Sequence, residues 1–336
     1  MAFETAADLE VFLSAPSPEV IDAMRHLEGD LMILGVGGKM GPTLAMLARQ
    51  AIDATGLHKR VIGVSRFSDG QVADRLQRAG VETISCDLLA DGALAALPDV
   101  QNIVYMVGVK FGATGEEART WAMNAFLPGK VAQRFSRSRV VLFSSGNVYP
   151  LVPASSGGCT EQTPPAPVGE YAQSVLGRER VFSHFGVSGV LFRLNYAVEL
   201  RYGVLLDVAQ NVWSGKPVDL RMGYVNVIWQ GDANAYALRA LALAETPPRI
   251  LNITGPETLS VRYLAARFGE LFEREPVLEG VEQPDALLNN AGLAFQLMGY
   301  PRVPVGRAIE WVAEWVRMDG PTLAKPTKFQ VRDGRF

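Results

Sequence analysis

Two cysteines, Cys86 and Cys159, and three histidines, His26, His58 and His184, are all that the 336 residues contain of these side chains. Thiols so few and so far apart exclude a disulfide framework and a CxxC metal pair, and with the histidines scattered no metal site is expected. Neither sign of charge prevails: 32 Lys and Arg stand against 35 Asp and Glu, a formal net charge of -3. The chain has no basic run, which argues against nucleic acid or an anionic membrane surface as a partner. No apolar stretch reaches the roughly 18 residues that a membrane span needs. The opening MAFETAADLEVF has no cationic start leading into an apolar core, so no secretory signal is read there, and the expected compartment is the cytoplasm. Internal repeats and low-complexity segments are also lacking. What remains is ordinary globular composition, 48% hydrophobic and 20% charged, in a chain long enough for one large or two small domains.

From residue 31 onward, short apolar runs alternate with amphipathic stretches. Strands are expected at 31–34, 61–64, 81–85, 103–107, 140–144, 190–193 and 250–253. Helices are expected at 40–54, 71–79, 115–135 and 169–185, with Pro128 kinking or splitting the third. Strands that are apolar almost throughout fit a parallel sheet covered on both faces, and strand–helix alternation implies a doubly wound α/β fold. Residues 1–28 read as an N-terminal arm of two short helices, 5–13 and 18–27, for packing or a dimer contact. Residues 29–193 read as the doubly wound unit. Residues 194–336 read as a mixed segment, mostly a smaller cap, with 231–255 returning to the sheet. Helices are expected in it at 204–214, 232–244, 261–272, 286–297 and 305–318. The last stretch, 321–336, has no periodicity and reads as an extended tail.

The sharpest local motif is GVGGKMG at 35–41, directly after the first strand and opening a helix. Gly35 would permit a sharp turn, Gly38 would let backbone N–H groups approach a pyrophosphate, and Gly41 would let the helix pack close to the sheet. The N-terminus of that helix offers unpaired N–H groups and partial positive charge to an anion. Lys39 and Met40 belong to the same turn. The second strand ends in Ser65-Arg66, with no carboxylate for ribose hydroxyls, and Arg66 suits a 2′-phosphate, so NADP is favoured over NAD. Asp87 and Leu88 follow the third strand, where the Asp87 carboxylate could accept from an adenine amino group or cap a helix. Val107 ends the fourth strand and Gly108 follows it, both on the cofactor side.

These residues, together with CDL at 86–88, FSSGNVYP at 143–150, TEQTPPAPVGEY at 160–171, FRLN at 192–195 and ILNITGPETLSV at 250–261, resemble the extended short-chain dehydrogenase/reductases, the NAD(P)-dependent epimerase/dehydratase family. The resemblance spans roughly residues 30–270. It implies a Rossmann domain, a smaller substrate-binding part, homodimerisation through the helices near 115–135 and 169–185, and a Ser/Thr–Tyr–Lys catalytic set. Carried over, Ser145 matches the catalytic hydroxyl and Tyr171 the catalytic tyrosine. The lysine implied four residues later is absent, because position 175 is Val.

Three readings stay open. Another cation replaces the lysine, with Lys110 (in the loop Gly108-Val-Lys-Phe-Gly112) or Arg178 as the candidates. Alternatively, Tyr171 acts as a neutral acid and needs no phenolate. Or the protein binds dinucleotide with little or no chemistry, as a sensor. The expected activity is that of an oxidoreductase, epimerase or dehydratase on a sugar or related polyhydroxylated or carbonyl compound. Asn195 is a candidate for cofactor or substrate contact at the carboxyl end of the sixth strand and Asn147 for substrate, with Arg193 and Tyr196 on the same rim. Asn124 reads as structural or cofactor-side, Asp232 as a structural acid, and Trp311 with Trp315 as an apolar helix face.

Overall fold

Runs of Val, Ile and Leu build seven strands: β1 (Leu31–Leu34), β2 (Val61–Ser65), β3 (Glu82–Ser85), β4 (Asn102–Tyr105), β5 (Arg139–Ser145), β6 (Gly189–Leu194) and β7 (Arg249–Ile253). In the computed structural model, which describes residues 3–110 and 115–335, they form one sheet in the order β3-β2-β1-β4-β5-β6-β7. Every pairing in it is parallel. β1 and β4 are buried along their whole length, as a sheet covered on both faces requires.

Alternate residues feed opposite faces. Leu31, Ile33, Val104, Val141 and Val190 meet the helices Pro18–His26, Gly41–Asp53 and Gln230–Ala240 on one side. Met32, Leu34, Ile103, Val140 and Leu142 meet Leu127, Val131 and Phe182 on the other. A separate apolar cluster draws on residues from Val198 to Phe329 and takes in Phe3, Leu9 and Leu13. In it Trp311 packs edge-to-face with Phe3, Phe12 and Trp229 at centroid distances of 5.1, 5.5 and 5.5 Å. The strand order reverses between β1 and β4, which opens a crevice at their carboxyl ends.

Two expected helices come out differently. The stretch 115–135 is an α-helix over Glu117–Trp121, a π-helical turn over Ala122–Phe126 and an α-helix over Leu127–Arg134. Pro128 has no N–H for the carbonyl of Asn124, four residues back, so the ladder must be interrupted here. The Leu127 N–H instead bonds Ala122 O, one residue further back than in an α-helix. The helix expected at 286–297 begins only at Gly292. Ahead of it Asp285–Ala286 pairs antiparallel with Val152–Pro153. The Asn290 Oδ1 accepts from Gly292 N at 2.9 Å, and Asn226 Oδ1 accepts from Asn289 N at 3.0 Å. Side-chain acceptors thus hold the backbone outside a helix. The tail at 321–335 is irregular, as its lack of periodicity suggests, but it is packed: Thr327 and Phe329 are buried.

Candidate functional site

The glycine turn after β1 has three different steric demands. Gly35 adopts φ +87°, and a Cβ there would lie 2.9 Å from the Val107 nitrogen. Gly41 could not carry a Cβ at all, since it would stand 2.2 Å from the Val36 carbonyl oxygen. A Cβ on Gly38 would meet only Gly35 O, at 3.4 Å, so that edge of the turn faces open space. Gly35 N and Val36 N both donate to Val64 O, at 2.8 and 3.2 Å, and fix the turn to β2. The helix Gly41–Asp53 that follows has no side-chain cap. Its first N–H groups therefore lie beside the open edge, as an anion such as a diphosphate requires.

Around the turn, Ser65 closes β2 and Arg66 is exposed. Asp87 is exposed, and its Oδ1 accepts from Leu89 N at 3.1 Å, making a turn where a helix cap had been one expectation. The Leu88 side chain is packed into the core beneath it.

Ser145 is the last residue of β5, and Tyr171 sits in the first turn of the helix Gly169–His184. Both side chains line one cavity. Ser145 Oγ donates to Asn147 Oδ1 at 2.9 Å. Burial pushes the Tyr171 phenol above its usual range, while the nearby Arg178 charge and the Ser145 hydrogen bond pull the other way without prevailing. Tyr171 is thus a neutral phenol at neutral pH. Val175, one turn along, is buried with Val148, Tyr149, Cys159 and Leu176, so the position where the resemblance implies a lysine is filled by apolar packing.

The two candidate cations differ in what they do. Arg178 is buried, and its guanidinium donates to Asn124 O at 3.1 Å, Asn124 Oδ1 at 3.0 Å and Phe143 O at 2.6 Å. The first of these acceptors is the carbonyl left over by Pro128. Asn124 also clamps the loop after β4, accepting from Val109 N and donating to Val109 O, both at 2.9 Å. Gly108 lies against the guanidinium, where a Cβ would be 2.6 Å from Nη2. Arg178 and Asn124 are therefore structural, and Arg178 acts on Tyr171 only through its field. Lys110 does reach the cavity: its Nζ is 5.8 Å from the Tyr171 ring centroid and 6.0 Å from that of Tyr196. Burial, with a contribution from Lys328, pulls its pKa down to about 8. The rest of that loop, including Phe111 and Gly112, lies outside the described residues.

Tyr202, Val204, Gln230 and Thr327, to which no motif pointed, complete the cavity with residues the motifs did name. Lys39 extends over the Tyr202 ring, with Nζ 3.1 Å from its centroid. Thr327, from the tail, lines the same space with Tyr202, Val204 and Gln230. Tyr196 lines it at φ +41°, an uncommon conformation for a bulky residue. Asn195 lines it too, and its Nδ2 donates to Asn226 Oδ1 at 3.1 Å. Arg193 is directed elsewhere, into a buried bidentate pair with Glu179 at 2.9 and 2.6 Å and a bond to the Tyr149 hydroxyl at 2.7 Å. Ser144 donates to Glu179, and Tyr149 donates to Asn252 Oδ1, so this pair is fully engaged and braces the floor under Ser145. Asp232 is structural, its carboxylate accepting from Val303 N at 3.0 Å. Among the described residues no group of three or more His, Cys, Asp or Glu side chains could hold a metal, and no helix is long and apolar enough to cross a membrane.

Fold and site together define a doubly wound α/β protein with an open glycine turn ahead of an uncapped helix, and with Ser145 and Tyr171 in one cavity. No family model matches the chain, and no curated protein matches it in sequence. Solved structures do match in fold. A Bordetella bronchiseptica enzyme, WbmG, in complex with NAD and UDP, is 17% identical, with a TM-score of 0.72 over 90% of this chain and 98% of that one. The UDP-glucuronic acid 4-epimerase of Bacillus cereus, in complex with UDP-glucuronic acid and NAD, is 15% identical, with a TM-score of 0.71 over 86% and 99%. The UDP-glucose 4-epimerase of Thermus thermophilus, in complex with NAD, is 17% identical, with a TM-score of 0.68 over 86% and 99%. The fold of this chain is that of these three structures, as the motif order implied.

Proposed function

We propose that the chain is an NAD(P)-dependent oxidoreductase of the extended short-chain dehydrogenase/reductase type, an epimerase or dehydratase that acts on a sugar or a related polyhydroxylated or carbonyl compound. The observation that carries this reading is that Ser145 and Tyr171 line one cavity together with Lys39 and Met40 of the glycine turn. A nicotinamide bound there supplies a hydride acceptor or donor. The open edge at Gly38 and the uncapped helix behind it would hold the diphosphate, while Ser65 and Arg66 would meet the adenosine ribose. Arg66, with no carboxylate beside it at the end of β2, favours NADP over NAD, although the matching structures above carry NAD.

In the cavity Ser145 orients a substrate hydroxyl or carbonyl oxygen. Tyr171, protonated at neutral pH, donates its phenolic proton to that oxygen, which makes it an acid first and a base only once a neighbouring charge stabilises the phenolate. Lys110 is the side chain that supplies such a charge in place of the residue missing at 175. The apolar surroundings of Val175 favour one rival reading, a dinucleotide sensor without turnover. Exposed Phe126, Trp121 and Phe185 on the paired helices support homodimerisation as part of the same proposal.

Fluorescence titration should give saturable binding of NADPH, tighter than that of NADH. Turnover on a panel of sugars and sugar nucleotides should then be lost in Tyr171→Phe by about 10²–10⁴-fold, with NADPH affinity retained. Binding with no turnover on any member of the panel would leave the sensor reading in place.

A further inference from the structure

The tail runs over the cavity as a strap that joins two of its walls. Leu323 N donates to Arg201 O at 3.0 Å, next to Tyr202 and Gly203, which line the cavity. Thr327 donates to Asp207 Oδ2 from both its N–H, at 2.8 Å, and its hydroxyl, at 2.6 Å, and lines the cavity itself. Phe329 is buried in the cap cluster, and Arg332 donates to the Asp285 carbonyl at 2.7 Å and to the Arg221 carbonyl at 3.2 Å. Gly334 then packs on Gly169, where a Cβ would lie 2.7 Å from the Gly334 carbonyl oxygen, just ahead of Tyr171. Ala324 and Lys328 hold φ of +50° and +54°, which non-glycine residues seldom adopt, so tertiary contacts impose the strap's path.

The strap therefore starts beside the Tyr202 wall and ends at the helix that carries Tyr171. It is no loose cover, since Thr327 is 2% exposed and Phe329 6%. The cavity it leaves measures about 190 Å³. Sites that take drug-sized ligands measure roughly 300–1,000 Å³, and a nucleotide sugar is as large as such a ligand. A nicotinamide ring beside Tyr171 would take up part of the cavity as well. The remaining space suits one small molecule. Around it stand the hydroxyls and carboxamides of Ser145, Asn147, Tyr196, Tyr202 and Gln230. Such groups both donate and accept, as the hydroxyls and carbonyl of a polyol or free sugar require.

We propose that the strap makes this the site of a small, free polyhydroxylated compound with no nucleotide attached, and that Thr327 is the wall residue that sets its size. The proposal rests on the dinucleotide-dependent reading above and names its substrate class. The Asp207 carboxylate, by taking both Thr327 donors, holds that wall in place.

Calorimetric titration of the full chain loaded with NADP⁺ tests it. The free probes are D-glucose, D-galactose, D-xylose and myo-inositol, and the nucleotide probes are UDP, UDP-glucose and UDP-galactose. At least one free probe should bind saturably, and every UDP probe should bind at least about tenfold more weakly than that one. Thr327→Met, which adds bulk at the wall, should weaken the free probe by at least about tenfold while NADP⁺ affinity stays within about threefold of the parent. A UDP probe within tenfold of the best free probe, no binding of any free probe, or a smaller loss in Thr327→Met overturns the proposal. Should Thr327→Met not fold, the comparison of free and UDP probes on the parent decides alone. Failure of the parent chain to bind NADP⁺ or NAD⁺ overturns the reading beneath it instead.

Discussion

Lys39 stands beside Lys110 and Lys325 as well as Asp207, Glu199 and Tyr202, and burial, more than the two like charges, brings its pKa from 10.5 to about 7. In the unfolded chain the same side chain stays protonated up to the usual lysine range. Between about pH 7 and 10.5 the unfolded state therefore binds more protons than the folded one, and stability rises with pH across that window. Below pH 7 the full cost of the half-buried charge is present. Lys39→Met should consequently raise the melting temperature near pH 6.5, by about 1 kcal/mol or roughly 1–2 °C once solvent screening is discounted. The gain should shrink toward pH 10. Differential scanning fluorimetry across pH reads the effect; a variant less stable than the parent at pH 6.5 would show that the ammonium is held by attraction and not at a cost.

At the scale of elements, the π-turn at Ala122–Phe126 and the guanidinium of Arg178 form one device. Pro128 frees the Asn124 carbonyl, and Arg178 takes it while also holding Phe143 O of β5. Arg178→Met would leave these buried acceptors without donors. Urea unfolding should report a loss of about 3 kcal/mol, and Arg178→Lys, which restores one donor and the charge, a smaller one.

Some of this was legible in the residues. The parallel sheet followed from continuous apolar strands, the turn at 35–41 from its glycines, and Ser145 with Tyr171 from motif order, because those signals are local. Pro128 announced a break, but not that the break would be a π-turn, since that depends on a helix some fifty residues away. The false start of the helix at 286 has the same origin: 286–297 is apolar enough for a helix, and contacts from Asn226, Cys159 and Val152–Pro153 decide otherwise. The meeting of Lys39, Tyr202 and Thr327 left no trace in spacing or periodicity, because it is made by tertiary packing of segments far apart in the chain.

Across the whole molecule, both chain ends fasten the cap to the sheet. Near the N-terminus, Glu10 pairs with Arg75 at 2.6 Å beside the sheet and with Arg201 at 2.9 Å in the cap. Near the other end, Phe329 is the apolar anchor of the strap, 6% exposed within the cluster that holds Trp311 and Trp315. Removing that ring leaves a cavity that a packed cap fills poorly, so Phe329→Ala should cost about 3–5 kcal/mol. The loss acts first on the strap, because Thr327 lies two residues from the anchor and its bond to Asp207 closes one wall of the cavity. The glycine turn is fixed by β1, β2 and the loop after β4, none of whose residues belongs to that cluster. In Phe329→Ala, at a temperature where the variant is still folded, sugar affinity should therefore fall by about tenfold or more while dinucleotide affinity holds. Parallel loss of both would mean that strap, cap and sheet unfold as one unit, and equal retention of both would mean that the strap does not shape the substrate wall.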